Sequence, residues 1–257
     1  ILFFSSSPHT SLYSLQDALL YQPNEPDIAR TIVQTPDMFY LPYESVSIET
    51  IDKEKLHGYL IKQTEQADQC ETLIFFHGNA GNIGHRYEPF CFFSVCFYLN
   101  KFSLQNAYLL YRACHINILL FDYRGYGRST GIPSESGLYI DAQAVYEYVR
   151  KRSDLNQEKI FLFGRSLGGA VALHLGMLLI LIQNKKLFVI LSAYLGQMET
   201  TPALFAVIVE NTFTSIADMA KQLFHVFLLD YIPILCYKNV VRRKKWKINF
   251  VNFVFLG

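Results

Sequence analysis

The sequence predicts an α/β fold with a mostly parallel central sheet, and three observations support this prediction. Short, continuous apolar runs recur along the chain, as is typical of strands buried on both faces. Helical patterns alternate with these runs, which indicates parallel strands joined by helices. Glycine-rich segments follow several of the runs, and ligands bind at those strand ends in open α/β sheets.

The predicted strands appear in a regular order. "SVSIETID" alternates polar and apolar residues, "LHGYLIK" does so more loosely, and a charged turn joins the two. Four continuous apolar runs follow and predict buried strands: "TLIFF" (72–76), "INILLFDY" (116–123), "IFLFG" (160–164) and "FAVIVE" (205–210).

Two helices are predicted between these strands. The segment 134–152 has an amphipathic pattern, with apolar residues at helical spacing: Leu138, Ala142, Val145, Tyr146 and Val149. "LGGAVALHL" (167–175) directly follows the third buried run and is also helical. Pro133 and "DYRGYGRSTG" mark a loop at a strand's carboxyl end.

Composition excludes several classes of protein. The chain has 257 residues, and its Lys+Arg count of 23 against an Asp+Glu count of 22 is not that of a nucleic-acid-binding protein. Five scattered cysteines do not suggest a disulfide framework. No motif for phosphate, dinucleotide or zinc binding occurs, and the spacing of Cys91 and Cys96 near His85 is a weak metal signal. We therefore expect neither a metal nor a cofactor.

The segment Gly164-Arg165-Ser166-Leu167-Gly168 has the G-x-S-x-G pattern of a nucleophile. Such a serine occupies a strained strand-to-helix turn, and small neighbours let the backbone turn tightly. The pattern predicts Ser166 as the nucleophile. It also places the backbone N–H of Leu167 where a developing oxyanion would lie.

A second loop, "HGNAGNIGHR", follows "TLIFF" at the position of the other oxyanion donor in hydrolases with a nucleophile elbow. Gly78 lets the backbone approach a substrate, and the backbone N–H of Asn79 is the candidate donor. The alternative is an ordinary tight turn with Asn82 as a helix cap, and the two interpretations are compatible. We expect His77 to brace the loop rather than to transfer protons.

Three other polar residues are given structural roles. His174 lies on the helix of Ser166, about two turns and roughly 12 Å away, and is interpreted as a packing residue. Asp122 and Arg124 are expected to organise their loop through local hydrogen bonds.

Five motifs, in this order, resemble the α/β-hydrolase superfamily and, within it, the alpha/beta-hydrolase domain-containing proteins: "HGNAGNIGHR", "LLFDYRGYGRSTG", "GLYIDAQAVYEYV", "KIFLFGRSLGGAVALHL" and "VENTFTSIADMAKQLF". The resemblance covers most of residues 45–239. It implies a serine hydrolase with a Ser-Asp-His triad. It also implies a membrane-associated protein, since such relatives are typically tethered by one N-terminal helix. More distant relatives remove palmitate from protein cysteines, so acyl esters or thioesters, lipidated proteins included, are the implied substrates.

The resemblance also defines a domain organisation. Residues 1–44 are expected to be an N-terminal segment that follows a lost membrane anchor, 45–239 the α/β-hydrolase domain, and 240–257 an atypical tail. The family's last two strands, which carry the triad acid and histidine, have no counterpart here. Asp218, His225 and Asp230 do not follow strands, so no triad acid or base is assigned. We expect such an incomplete sheet to expose an apolar edge, to be poorly stable and to react negligibly with a fluorophosphonate.

Two inner segments, about 87–105 and 176–197, interrupt the family's motifs. Both segments and the tail are rich in residues with A/T-rich codons, which favours translated non-coding sequence in a gene model. The alternative is a pair of genuine lid or cap insertions. Sequencing the transcript would decide between them.

Two alternatives to an enzyme remain open. The first is a non-catalytic interaction protein with the hydrolase fold, which the missing acid and base favour. The second is a small integral membrane protein, which rests on the apolar segment 176–196. Lys185 and Lys186 interrupt that segment and argue against a membrane span, because each lysine at the bilayer centre costs about 2.5–3.5 kcal/mol.

Overall fold

The computed structural model describes residues 17, 20–84, 103–183, 204 and 206–210. In this part of the chain six strands form one sheet: β1 (Glu44–Glu49), β2 (Lys55–Ile61), β3 (Thr72–Phe76), β4 (Asn117–Phe121), β5 (Ile160–Arg165) and β6 (Ala206–Glu210). Their order across the sheet is β1-β2-β4-β3-β5-β6. β2 pairs antiparallel with β1 and β4, and the other neighbours are parallel. The predicted α/β class and mostly parallel sheet are confirmed.

The continuous apolar runs lie where the prediction requires them, at the centre of the sheet. Every residue of β3 and β4 is buried. Ile74 and Phe76 belong to one hydrophobic core, while Leu73 and Phe75 belong to a second core on the opposite face. Since successive side chains point to opposite faces of a strand, a strand between two cores must be apolar throughout.

Helices cover both faces: α1 (Ser103–Cys114), α2 (Glu135–Arg150) and α3 (Leu167–Gln183), with a short 3-10 helix at Pro36–Phe39. The Ser134 hydroxyl caps α2 by accepting from the Gly137 N–H at 3.1 Å. All five predicted apolar positions of α2 are buried against the first core. The amphipathic pattern therefore predicted both this helix and its buried face.

The segment 176–197, which interrupts the family's motifs in the sequence, is described only in its first part. There α3 continues past the predicted helix 167–175 to Gln183. Several other predictions lie outside the described residues: most of 87–105, the helix "SIADMAKQLF", the tail, and the missing last two strands. In the described part of the chain, no helix has the length and apolarity needed to span a bilayer.

Candidate active site

Ser166 occupies the turn between β5 and α3. Its backbone has a φ of 51°, in the left-handed region that residues other than glycine rarely adopt. Such a conformation costs of order 1–3 kcal/mol and persists only where the surroundings impose it. The turn that the G-x-S-x-G pattern predicts is therefore present, and Ser166 is its strained residue.

Close backbone contacts explain the glycines on either side of Ser166. A Cβ on Gly168 would lie 2.1 Å from the backbone oxygen of Phe76, and one on Gly164 would lie 2.4 Å from the backbone oxygen of Gly168. Because α3 begins directly against β3 and β5, neither position has room for a side chain. This packing fixes the first turn of α3 behind Ser166.

The loop 78–84, here called the oxyanion loop, begins beside Ser166. An ideal Cβ at Gly78 would lie 3.9 Å from the Cβ of Ser166, which is ordinary van der Waals contact. Leu167, the first residue of α3, has a fully buried side chain. Its backbone N–H belongs to the first turn, where helix amides have no partner within the helix and carry partial positive charge. Ser166, Leu167 and the oxyanion loop are thus brought together.

The side chain of Asn79 holds the start of this loop. Its Oδ1 accepts hydrogen bonds from the Tyr126 hydroxyl at 2.8 Å and from the Gln22 N–H at 3.3 Å. Its Nδ2 donates to the backbone oxygen of Leu20 at 2.6 Å. The side chain is therefore committed to the framework, and only the backbone N–H is a candidate to bind substrate.

His77 is buried at the end of β3, with 2% of its surface exposed. Its Nδ1 lies 2.7 Å from the Gly78 oxygen, and the Tyr123 hydroxyl donates to the His77 backbone oxygen at 3.1 Å. Burial lowers the pKa of His77. These contacts support the interpretation that His77 braces the loop.

Asp122 lies beneath the same loop and is fully buried. Its Oδ1 accepts a hydrogen bond from the Ile83 N–H at 2.8 Å. Its oxygens also lie 3.7 Å from His57 Nδ1 and 3.9 Å from His77 Nε2. The expected local hydrogen bond is made by the backbone oxygen of Asp122, which accepts from the Ser129 hydroxyl at 2.7 Å, whereas its side chain bonds the oxyanion loop instead. The sequence analysis did not single out His57, whose place on β2 gave no signal beyond a strand pattern.

Arg124 clamps three parts of the molecule. Its guanidinium bonds both carboxylate oxygens of Asp52, at 2.7 and 3.0 Å, in the turn between β1 and β2. Its Nε donates to Asp141 of α2 at 2.9 Å. The hydrogen bonds from Arg124 lower the pKa of Asp52 to about 2. The expectation that Arg124 organises its loop through local hydrogen bonds is wrong, because these side-chain partners lie 72 and 17 residues away in sequence.

His174 stacks on Tyr139 of α2, with ring centroids 3.6 Å apart and an interplanar angle of 5°. Burial lowers its pKa. The contact joins α2 to α3, which confirms the interpretation of His174 as a packing residue.

The remaining candidates lie outside the described residues. These are the poorly placed acids and histidine of the C-terminal region, Asp218, His225 and Asp230, and the weak metal candidates, His85, Cys91 and Cys96. Within the described ranges, no group of three His, Cys, Asp or Glu side chains could hold a metal ion.

Sequence reasoning missed the contacts of the N-terminal segment with the oxyanion loop. Asn82, considered as a helix cap, donates from Nδ2 to the backbone oxygens of Ala29 at 2.7 Å and Ile32 at 2.9 Å. The two asparagines of "HGNAGN" are the one signal that could have suggested this, since amide side chains can bind the backbone of another segment.

Comparison with known proteins gives three findings. The family model described as the alpha/beta hydrolase fold matches residues 71–185. The protein bem46 of Schizosaccharomyces pombe is 36% identical over 83% of this chain and 58% of its own length. An uncharacterized membrane protein of Saccharomyces cerevisiae is 32% identical over 89% of this chain and 65% of its own. The chain thus spans less than two thirds of the length of these relatives.

Among solved structures, an esterase from Pyrococcus furiosus aligns over 60% of this chain and 51% of its own, with 23% identity and a TM-score of 0.46.

Proposed function

The chain belongs to the α/β-hydrolase superfamily, and on that premise we propose that it carries the nucleophile of a serine hydrolase acting on acyl esters or thioesters. The observation that carries the proposal is the strained turn at Ser166, with its φ of 51° and its position beside Gly78. Strain of this kind clusters at functional sites, and the neighbouring loop supplies backbone donors.

The proposed chemistry uses two backbone amides. The Ser166 oxygen attacks the acyl carbon and loses its proton to a general base, and the carbonyl oxygen becomes an oxyanion. The N–H groups of Leu167 and Asn79 donate to that oxyanion. Collapse of the tetrahedral intermediate breaks the bond between the acyl carbon and the oxygen or sulfur of the leaving group. The base returns its proton to the departing alcohol or thiol, and the acyl group stays on Ser166. Water then releases the acid by the same steps.

Lipid esters and palmitoylated proteins are the proposed substrates, and the support for them is the family resemblance. We also propose that the full-length protein is membrane-associated through one N-terminal anchor, as the name of the yeast relative suggests. Extraction of membranes with alkaline carbonate tests this, because an anchored protein stays in the pellet while a peripheral protein is released.

The second candidate is a non-catalytic interaction protein with the same fold. The observation in its favour is that neither a triad acid nor a base was assigned in this sequence. A serine without its base is a weak nucleophile, so the two candidates differ in one measurable property, the reactivity of Ser166.

The test is to treat three full-length proteins with a fluorophosphonate probe and to measure their labelling. They are the parent, the Ser166→Ala variant and, as the control, the Ser134→Ala variant. Ser134 caps α2, so its loss removes a hydroxyl and perturbs folding without touching the proposed site. We expect labelling of the parent and Ser134→Ala proteins and none of Ser166→Ala. A folded full-length protein that stays unlabelled would favour the interaction protein.

The 257-residue chain provides a second comparison. We expect it to label negligibly beside the full-length product. Labelling at a similar rate would mean that a residue within this chain acts as the base, and the interpretation of the missing triad would be wrong.

A further inference from the structure

The outer side of the oxyanion loop is bound by residues 20–34, here called the N-terminal strap. The backbone of Gln22 forms a parallel bridge with that of Ala80. Three residues on, the Gly81 N–H donates to the Glu25 oxygen at 2.7 Å. The backbone of the strap therefore bonds the backbone of the loop at two points.

The side chain of Asn82 makes the second attachment. It is 5% exposed, and its Nδ2 donates to the backbone oxygens of Ala29 and Ile32. Its Oδ1 accepts from the Gly84 N–H at 2.9 Å. The donor group of this buried amide thus joins the loop to the strap, and its acceptor group holds the loop's own backbone at Gly84. A buried polar network of this kind fixes one arrangement, since breaking any bond strands a polar group.

The strap is itself anchored to the body of the protein. Its apolar side chains are buried, with Leu20, Tyr21, Ala29 and Val33 each at most 5% exposed. The Arg30 guanidinium donates to backbone oxygens of the loop after β4. The strap is therefore packed against the rest of the protein and can support the loop.

The oxyanion loop needs such a support. It contains Gly78, Gly81 and Gly84, and Gly81 has a φ of 82°, so its own conformational preferences are weak. An oxyanion donor must lie 2.7–3.1 Å from the developing charge, and a misplacement of about 0.5 Å or more degrades a catalytic constellation.

We infer that the N-terminal strap is a positioning element of the oxyanion hole. It acts through two asparagines, Asn79, whose side chain bonds Leu20 and Gln22 directly, and Asn82, which holds the rest of the loop and so helps to set the backbone N–H of Asn79. The inference rests on the proposed function for its catalytic consequence. It assigns the strap a role in the transition state, whereas the sequence analysis treated residues 1–44 as a segment outside the hydrolase domain.

The test compares Asn82→Asp with Asn117→Asp. Asn117 is a matched control because it is also buried, its Nδ2 donates to the Ala67 oxygen at 2.8 Å, and its Oδ1 accepts from the Gln63 N–H at 3.0 Å. It lies at the amino end of β4, away from Ser166. Each substitution keeps the shape of the side chain and its acceptor oxygen Oδ1. The Nδ2 group that donates to backbone carbonyl oxygens is replaced by a carboxylate oxygen, which cannot donate and carries negative charge.

Both variants should lower the melting temperature of the full-length protein. With a p-nitrophenyl ester, only Asn82→Asp should lower kcat, roughly 10- to 100-fold, with KM changed by about twofold or less, because the lost interaction acts in the transition state. Asn82→Ala serves as the second variant where the aspartate variant does not fold. An equal loss of kcat in the Asn82 and Asn117 variants, or no loss in either, would overturn the inference.

Amide hydrogen exchange supplies a readout that does not need turnover. Asn82→Asp should speed exchange in the oxyanion loop, and Asn117→Asp should speed it in 63–72 instead. Unchanged exchange in the loop of Asn82→Asp overturns the inference. If the folded parent hydrolyses no ester and Ser166 stays unlabelled, the proposed function fails. Hydrogen exchange then decides by itself whether the strap fixes the conformation of the oxyanion loop.

Discussion

The two halves of the candidate site are built in opposite ways. The turn at Ser166 is local, because its strand, its serine and its helix are consecutive, and the glycines that permit it lie two residues away on either side. The oxyanion loop is held by partners distant in sequence, including Ala29, about fifty residues earlier, and Asp122, about forty residues later. A local turn is encoded by a motif, whereas the loop is encoded by a tertiary network.

The largest expected effect is on the local half. Gly168→Ala places a Cβ 2.1 Å from the backbone oxygen of Phe76. A flexible side chain could move away from such a contact, but the backbone of β3 cannot. We expect a loss of about 3 kcal/mol in the free energy of unfolding, measured by urea denaturation. Gly78→Ala is the control, since the nearest atom to its new Cβ is 3.9 Å away. Equal destabilisation of the two variants would show that the described packing of α3 against β3 is wrong.

An intermediate effect is expected at the support beneath the loop. Asp122→Ala removes the acceptor of the buried Ile83 N–H and should cost about 1–3 kcal/mol in urea denaturation. Asp122→Asn keeps an acceptor oxygen, and its new N–H faces His57 Nδ1, which lies 3.7 Å from the present carboxylate.

Asp122→Asn should therefore be the milder substitution. If both cost the same, the carboxylate charge, rather than the bond to Ile83, supports the loop.

The smallest effect concerns the clamp at Arg124, and it depends on pH. The pKa of Asp52 is about 2 in the folded protein against an ordinary value of 3.8. Because the folded pKa is the lower one, the ionised Asp52 stabilises the fold above about pH 4, and this contribution is lost as the pH falls towards 2.

The melting temperature of the parent should therefore exceed that of Asp52→Asn at pH 6, and the gap should narrow below pH 4. Asp68→Asn, at an exposed aspartate, is the control and should follow the parent. A gap that stays constant between pH 6 and pH 3 would mean that Asp52 acts through packing rather than charge.

The same contrast explains how much the sequence could predict. Buried strands, the apolar face of α2 and the turn at Ser166 follow from patterns within a few residues, and all were predicted. The strap was not, because hydrogen bonds from Asn79 and Asn82 to backbone oxygens leave no pattern in the residues that accept them. His57 was missed for the same reason, since its proximity to Asp122 arises from strand pairing.

The extent of α3 shows a different limit. The sequence pattern predicted a helix over residues 167–175, whereas the helix continues to Gln183. Apolar residues at consecutive positions support a helix regardless of where a family motif ends.

The strap also imposes an order on synthesis. Its residues Leu20, Ala29 and Ile32 leave the ribosome about fifty residues before Asn79 and Asn82, whose side chains bond their backbone oxygens. At about 5–20 residues per second, the nascent strap waits for roughly 3–10 seconds before these partners are made. The speed of translation between the strap and Asn82, and the chaperones that meet the chain there, therefore bear directly on whether the loop 78–84 reaches this arrangement.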